Sequence, residues 1–119
     1  METIERIAVI AEFEQYLKDR AYTFKKEFPF NQLIPTDRKF RADYYLMGRR
    51  IIIEINGGQY AMKKADKNGR VYFSVGRHNK GGEGYENDLF KINLAQKYGF
   101  KIYQFTYEML RKREYLNFI

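Results

Sequence analysis

The chain of 119 residues has no cysteine, no tryptophan, two prolines and a single histidine. Without cysteine there are no disulfides, no thiolate metal sites and no sulfur nucleophile, and the composition suits a reducing cytoplasm. One histidine leaves zinc-finger, multi-histidine zinc and haem chemistry short of ligands. No apolar stretch approaches the roughly 18 residues of a membrane span, and the N-terminus shows no signal-peptide pattern. The expected setting is therefore cytoplasmic, with no membrane. Acidic residues are in the minority, 15 Asp and Glu against 22 Lys and Arg, for a net charge of +7. That balance points to a polyanionic partner, nucleic acid before an acidic membrane surface.

Hydrophobic residues make up 45% of the chain, enough for one globular domain spanning residues 1–119. Aromatic content is 18%, with 11 Tyr and 10 Phe, suited either to stacking on bases or to lining the edge of a core. Ile4, Ile7, Ala8, Ala11 and Leu17 form a helical stripe from Thr3 to about Arg20, widened by Ile10, Phe13 and Tyr16, with Thr3 as N-cap. Tyr22 to Phe30 reads as a first strand and Asn31 to Lys39 as a loop. Phe40–Leu46 and Arg49–Asn56 read as a hairpin. A basic, irregular insertion follows at about 59–84, carrying Lys63, Lys64, Lys67, Arg70, Arg77 and Lys80, with a short strand at Arg70–Val75. A second helix runs to Tyr98 with Leu89, Ile92 and Ala95 inward and Gly99 as its stop. Phe100–Phe105 is a last strand, and Thr106 caps a short final helix. The order α-β-β-β-α-β-α predicts an α/β fold, a mixed sheet with helices packed against it.

The hairpin holds two acids, Asp43 and Glu54. Gly48 and Arg49 suit a two-residue type II′ loop, which sets Asp43 directly opposite Glu54 with Cβ atoms about 4.5–5.5 Å apart; a Met47-Gly48 loop would make them diagonal neighbours at roughly 7–8 Å, and a three-residue loop would put them on opposite faces, barring a bulge. Two carboxylates this close stay ionised together only with a cation between them. Asn56, two residues on, points to the same side. A solvated hairpin face in which Arg41, Asp43, Arg50, Glu54 and Asn56 pair as surface charges fits the same spacing.

The order of elements, with an Asp one hairpin before Glu-x-polar, resembles the PD-(D/E)XK nuclease superfamily. Asp43 and Glu54-Ile55-Asn56 stand at the motif positions. The closer likeness is to small phage- and prophage-type endonucleases of the very-short-patch-repair-like branch. It is carried by Glu27-Phe28-Pro29-Phe30, by Arg38 and Arg41 leading into Asp43, and by Glu54-Ile55-Asn56-Gly57-Gly58. It continues through Gly76-Arg77-His78, then Gly99-Phe100-Lys101-Ile102-Tyr103-Gln104-Phe105-Thr106.

The resemblance implies a restriction-endonuclease-like α-β-β-β-α-β core and Mg²⁺- or Mn²⁺-dependent cleavage of DNA in a bacterial or phage-infected cell. Asp43, Glu54 and the Ile55 carbonyl would be the metal ligands. Arg38, Arg41, Arg77, Lys80 and Lys91 would contact nucleic acid. Asn56 replaces the motif Lys, and a neutral amide neither accepts a proton from water nor supplies positive charge. His78, Lys91 and the Lys63/Lys64 pair are candidates for that work, with Lys91 also placed to form an i,i+3 ion pair with Asp88. Glu27, or one of Glu5, Glu12 and Glu14 on the first helix, is a candidate further ligand. Cutting both strands of a duplex takes two incisions, a rationale for a homodimer. The alternatives are a nuclease-like fold that binds without cutting, and an RNA-binding sheet using Tyr22, Phe24, Tyr44 and Tyr45 as stacking platforms.

Overall fold

The computed structural model describes residues 1–56, 62–65, 67–68, 71–74 and 83–119. The elements run α1 (Thr3–Asp19), β1 (Phe24–Pro29), β2 (Arg41–Leu46), β3 (Ile51–Asn56), β4 (Met62–Ala65), β5 (Val71–Ser74), α2 (Glu83–Lys97), β6 (Lys101–Thr106) and α3 (Tyr107–Arg111). One-turn 3₁₀ helices follow β1 at Phe30–Gln32 and α3 at Glu114–Asn117. The fold is α/β. Its four-stranded sheet has the order β1-β2-β3-β6, antiparallel through the first three strands and parallel between β3 and β6. A parallel pair needs a long crossover, and α2 lies on it. Within the expected insertion, β4 and β5 pair antiparallel. The sequence pattern marks β5 but not its partner.

Two apolar clusters hold the helices to opposite faces of the sheet. Val9, Phe13 and Leu17 of α1, with Leu110 of α3 and Tyr115, pack on Tyr44, Leu46, Ile53 and Phe105. Ala95 of α2, with Leu94 and Tyr98 at the margin, packs on Ile52, Phe100, Phe30 and Ile34.

The buried arc of α1 differs from the expected stripe. Phe13 and Leu17 are fully buried, whereas Ile4 and Ile7 are 78% and 65% exposed. Two apolar arcs overlap on this helix, and the one carrying the Phe13 ring wins. That ring makes edge-on contacts with Tyr44, Phe105 and Tyr115 that the Ile4–Ile7 arc cannot offer. Helix α1 also begins one residue earlier than the capping argument placed it, with Glu2 at the N-cap and no side-chain cap. The rings proposed as an RNA platform are core residues: Tyr44 is 3% exposed, Tyr22 and Phe24 pack on its cluster, and Tyr45 packs on the other.

Both long helices end in a left-handed residue that ties off the last carbonyls. At α2 this is Gly99 (φ +81°), whose N–H donates to the Gln96 carbonyl while Phe100 N–H reaches Ala95. At α1 the same geometry falls on Ala21 (φ +60°), with Ala21 N–H on Lys18 and Tyr22 N–H on Leu17. An alanine Cβ costs roughly 1–2 kcal/mol in this region, partly offset by the unfolded-state entropy of glycine. Ala21→Gly is therefore expected to raise stability by about 0.5–1 kcal/mol, read as a higher midpoint in thermal unfolding. A lower midpoint would show that Ala21 is not strained.

Candidate functional site

The β2–β3 connection sets the site. The last ladder pair is Leu46 with Ile51, so the loop has four residues rather than two. Gly48 takes φ +74° as the third residue of a turn closed by Arg49 N–H on the Leu46 carbonyl at 3.2 Å, where a type II turn requires it. Arg50 is also left-handed (φ +56°), and Met47 N–H turns to β1, donating to the Thr23 carbonyl. Lengthening the loop by one residue on each side leaves the register unchanged. Tyr44 pairs with Ile53, and the next residues outward are Asp43 and Glu54.

Beyond Tyr44 the backbone ladder gives way to the acids themselves. Asp43 N–H donates to Glu54 Oε2 at 2.7 Å, and Ile55 N–H donates to Asp43 Oδ2 at 2.7 Å. Each carboxylate thus replaces a backbone acceptor on the facing strand, which fixes both side chains between β2 and β3. Because N–H and C=O of one extended residue project to the same strand edge, the Ile55 carbonyl shares this gap. The β1–β2 ladder is interrupted at the same level. It runs from Lys26–Tyr44 to Phe28–Ala42 and skips Glu27 and Asp43. Glu27 has φ +52° and is solvent-exposed.

Glu54 is 8% exposed, the one charged residue among the buried positions described. Its carboxyl is pushed up to about 7, by burial first and by neighbouring Asp43, against the opposing Lys91 ammonium and Asp43 N–H. Lys91 reaches in from α2. Its ammonium forms a salt bridge and hydrogen bond with Glu54 Oε1, donates to the Arg41 carbonyl at 2.5 Å, and lies 5.3 Å from the centre of the Phe30 ring. Asp88, one turn earlier on α2, forms no ion pair with Lys91. Its Oδ2 is shielded from solvent with no hydrogen-bond partner among the described residues.

The structure thus brings Asp43, Glu54, Ile55 and Lys91 together. The i,i+3 pairing expected of Lys91 gives way because the β3–α2–β6 crossover lays α2 over the face carrying Glu54, and a buried carboxylate competes better than a partly exposed one. A lysine three and four residues before Leu94 and Ala95, on the inward side of the helix, is the signal that marks it. Leu89, expected inward, is 42% exposed, so the helix is rotated from the phase its apolar residues indicate.

Asn56 Nδ2 donates to Gln104 Oε1 at 2.9 Å, on the strand beyond Glu54. Arg41 donates to the Glu27 carbonyl at 3.3 Å, beside the gap. Arg38 lies over Phe90 at 4.3 Å from the ring centre. Helix α1 contributes no acid. Glu14 binds Lys26 and the Tyr44 hydroxyl, while Glu12 binds Arg113. Arg77, His78 and Lys80 lie outside the described residues, as do the side chains of Lys63 and Lys64.

Among the described residues no group of three or more His, Cys, Asp and Glu is placed to hold a metal ion. Protein ligation here would rest on two carboxylates and a carbonyl. Hard oxygen donors of that number suit Mg²⁺, which keeps several of its waters. Asp43 Oδ1 has no partner among the described residues, whereas Glu54 Oε2 is held by the Asp43 N–H and Glu54 Oε1 by the Lys91 ammonium, so a cation shared by both acids would have to displace that ammonium. No helix among the described residues is long and apolar enough to cross a membrane. Comparison with protein families, curated proteins and solved structures finds no match for this chain.

Proposed function

We propose that this protein is a Mg²⁺-dependent endonuclease acting on DNA, built on a restriction-endonuclease-like core. The observation that carries the reading is the Asp43–Glu54 pair, locked oxygen-to-backbone across adjacent strands with an ammonium already drawn to it. Burying Glu54 together with the Lys91 ammonium costs stability, and the inner β2–β3 pair of the sheet needs neither for folding. A cation-binding site explains their presence where a salt-bridged surface does not, since Glu54 is shielded rather than solvated.

Bound between Asp43, Glu54 and the Ile55 carbonyl, Mg²⁺ would polarise the phosphoryl group and acidify an attacking water. The chain's own residues supply the rest. Lys91 provides the positive charge that Asn56 lacks, placed to stabilise negative charge growing on the phosphoryl oxygens. Arg41 flanks the gap and Arg38 lies further along the same segment, both suited to backbone phosphates. The net charge of +7 favours the polyanion.

The test is incubation with plasmid, branched and single-stranded DNA in Mg²⁺ or Mn²⁺, with EDTA as the control. Cleavage that EDTA abolishes is the expected result. Binding without cleavage in either metal favours the second reading, a nuclease-like fold that grips nucleic acid. The loss of the motif lysine at Asn56 is the specific observation on its side.

A further inference from the structure

Lys91 and Asp88 together carry one step beyond this reading. The Glu54 oxygen that faces away from the Asp43 N–H is the one Lys91 occupies, so the ammonium sits on an oxygen that a bridging cation needs. An ammonium and a divalent cation sharing one carboxylate oxygen repel strongly in a site this shielded. When the cation arrives, the lysine head must move. Its other hydrogen bond, to the Arg41 carbonyl, is to a neutral acceptor and leaves the charge uncompensated.

One nearby group is built to receive it. Asp88 lies one helical turn before Lys91, the spacing at which side chains on a helix meet. Its Oδ2 is buried and makes no hydrogen bond among the described residues, an uncommon and costly condition for a carboxylate. Burial raises the Asp88 carboxyl above its ordinary range, and Lys91 is the neighbour that opposes the rise.

We infer that Asp88 is a positioning residue: it takes the Lys91 ammonium when a divalent cation displaces it from Glu54, and so holds the lysine beside the bound phosphate. Lys91 then has two stations, Glu54 in the cation-free protein and Asp88 in the loaded one. The orphaned Asp88 oxygen is the second station left empty. This rests on the metal-site reading above.

The experiment is Mn²⁺ titration by calorimetry, without nucleic acid, on the full chain and on Asp88→Asn, Asp88→Glu, Lys91→Met and the Asp88→Asn/Lys91→Met double variant. Circular dichroism and thermal unfolding verify that each variant is folded. Asp88→Asn is expected to weaken Mn²⁺ binding about tenfold, because the displaced ammonium loses its acceptor. Asp88→Glu restores affinity to within a few-fold. In the Lys91→Met background, Asp88→Asn has no effect, since no ammonium needs a second station. Unchanged affinity in Asp88→Asn overturns the inference and leaves the metal site standing. An equal loss in both backgrounds also overturns it, making Asp88 a direct partner of the cation. Absence of Mn²⁺ uptake by the unaltered chain removes the metal-site reading itself, and this inference with it.

Discussion

Asp43→Asn and Glu54→Gln are each expected to lower Mg²⁺-dependent DNA cleavage by at least about a thousandfold while leaving the fold and metal-free DNA binding within a few-fold. Both substitutions keep side-chain shape. The amide oxygen introduced at position 43 can still accept from Ile55 N–H, and the one introduced at position 54 can still accept from Asp43 N–H. The side-chain links that continue the β2–β3 ladder therefore survive. What each substitution removes is one of two negative charges that would attract a divalent cation, and with it the electrostatic acceleration rather than a peripheral contact. Gel assays of cleavage in Mg²⁺ and fluorescence anisotropy of labelled DNA in EDTA separate the two effects. Full cleavage by both variants would remove the nuclease reading.

The reach of the sequence is clearest at the hairpin. Of the loop placements the sequence allows, the one centred on Gly48-Arg49 sets Asp43 against Glu54, and the observed register agrees with it although the turn has four residues instead of two. Register survived because extending the loop symmetrically preserves which residues face each other, and a shift by one would have carried Glu54 from the α2 face to the apolar cluster under α1. Gly99, Thr106 and a helical crossover giving a mixed sheet were legible for similar reasons, each resting on a local rule with few rivals, while the choice of β3 as the parallel partner of β6 comes from the structure. Thr106 Oγ1 accepts from Met109 N–H as the capping argument requires.

The helices were harder to phase. Helix α1 carries two apolar arcs, and only contact with Tyr44, Phe105 and Tyr115 chooses between them. Helix α2 exposes Leu89 and turns Lys91 inward, an orientation that apolar periodicity alone assigns wrongly. That inversion is informative. A lysine takes a shielded position against its own desolvation cost only where a charge waits for it, and Glu54 is that charge. The residue that sequence spacing assigned to an ordinary helix ion pair is the one that completes the acidic site.

Lys91→Met tests that dependence, through both rate and stability. Loss of the ammonium should slow cleavage by about a hundredfold or more, the scale of removing one charge-stabilising donor from a shielded site. Its effect on stability should depend on pH. In the unaltered protein burial pushes the Glu54 carboxyl from the ordinary 4.5 up to about 7, net of the opposing Lys91. Between those values the native state holds a proton that the unfolded chain has released, so stability falls as pH rises through that window. Lys91 opposes the upward shift. Without it the carboxyl rises further, and the decline in stability extends above pH 7. At pH 8, Lys91→Met should cost about 3 kcal/mol, the scale of leaving a buried charge unpaired. At pH 5, where Glu54 is protonated in both proteins, the difference should shrink below about 1 kcal/mol, the scale of one neutral hydrogen bond. Adding Glu54→Gln to Lys91→Met removes the titrating group, and the steep alkaline limb should disappear with it. Chemical denaturation from pH 5 to pH 9 measures the unaltered chain and both variants. A slope in the double variant as steep as in Lys91→Met would place the titration elsewhere and separate Lys91 from the acid pair.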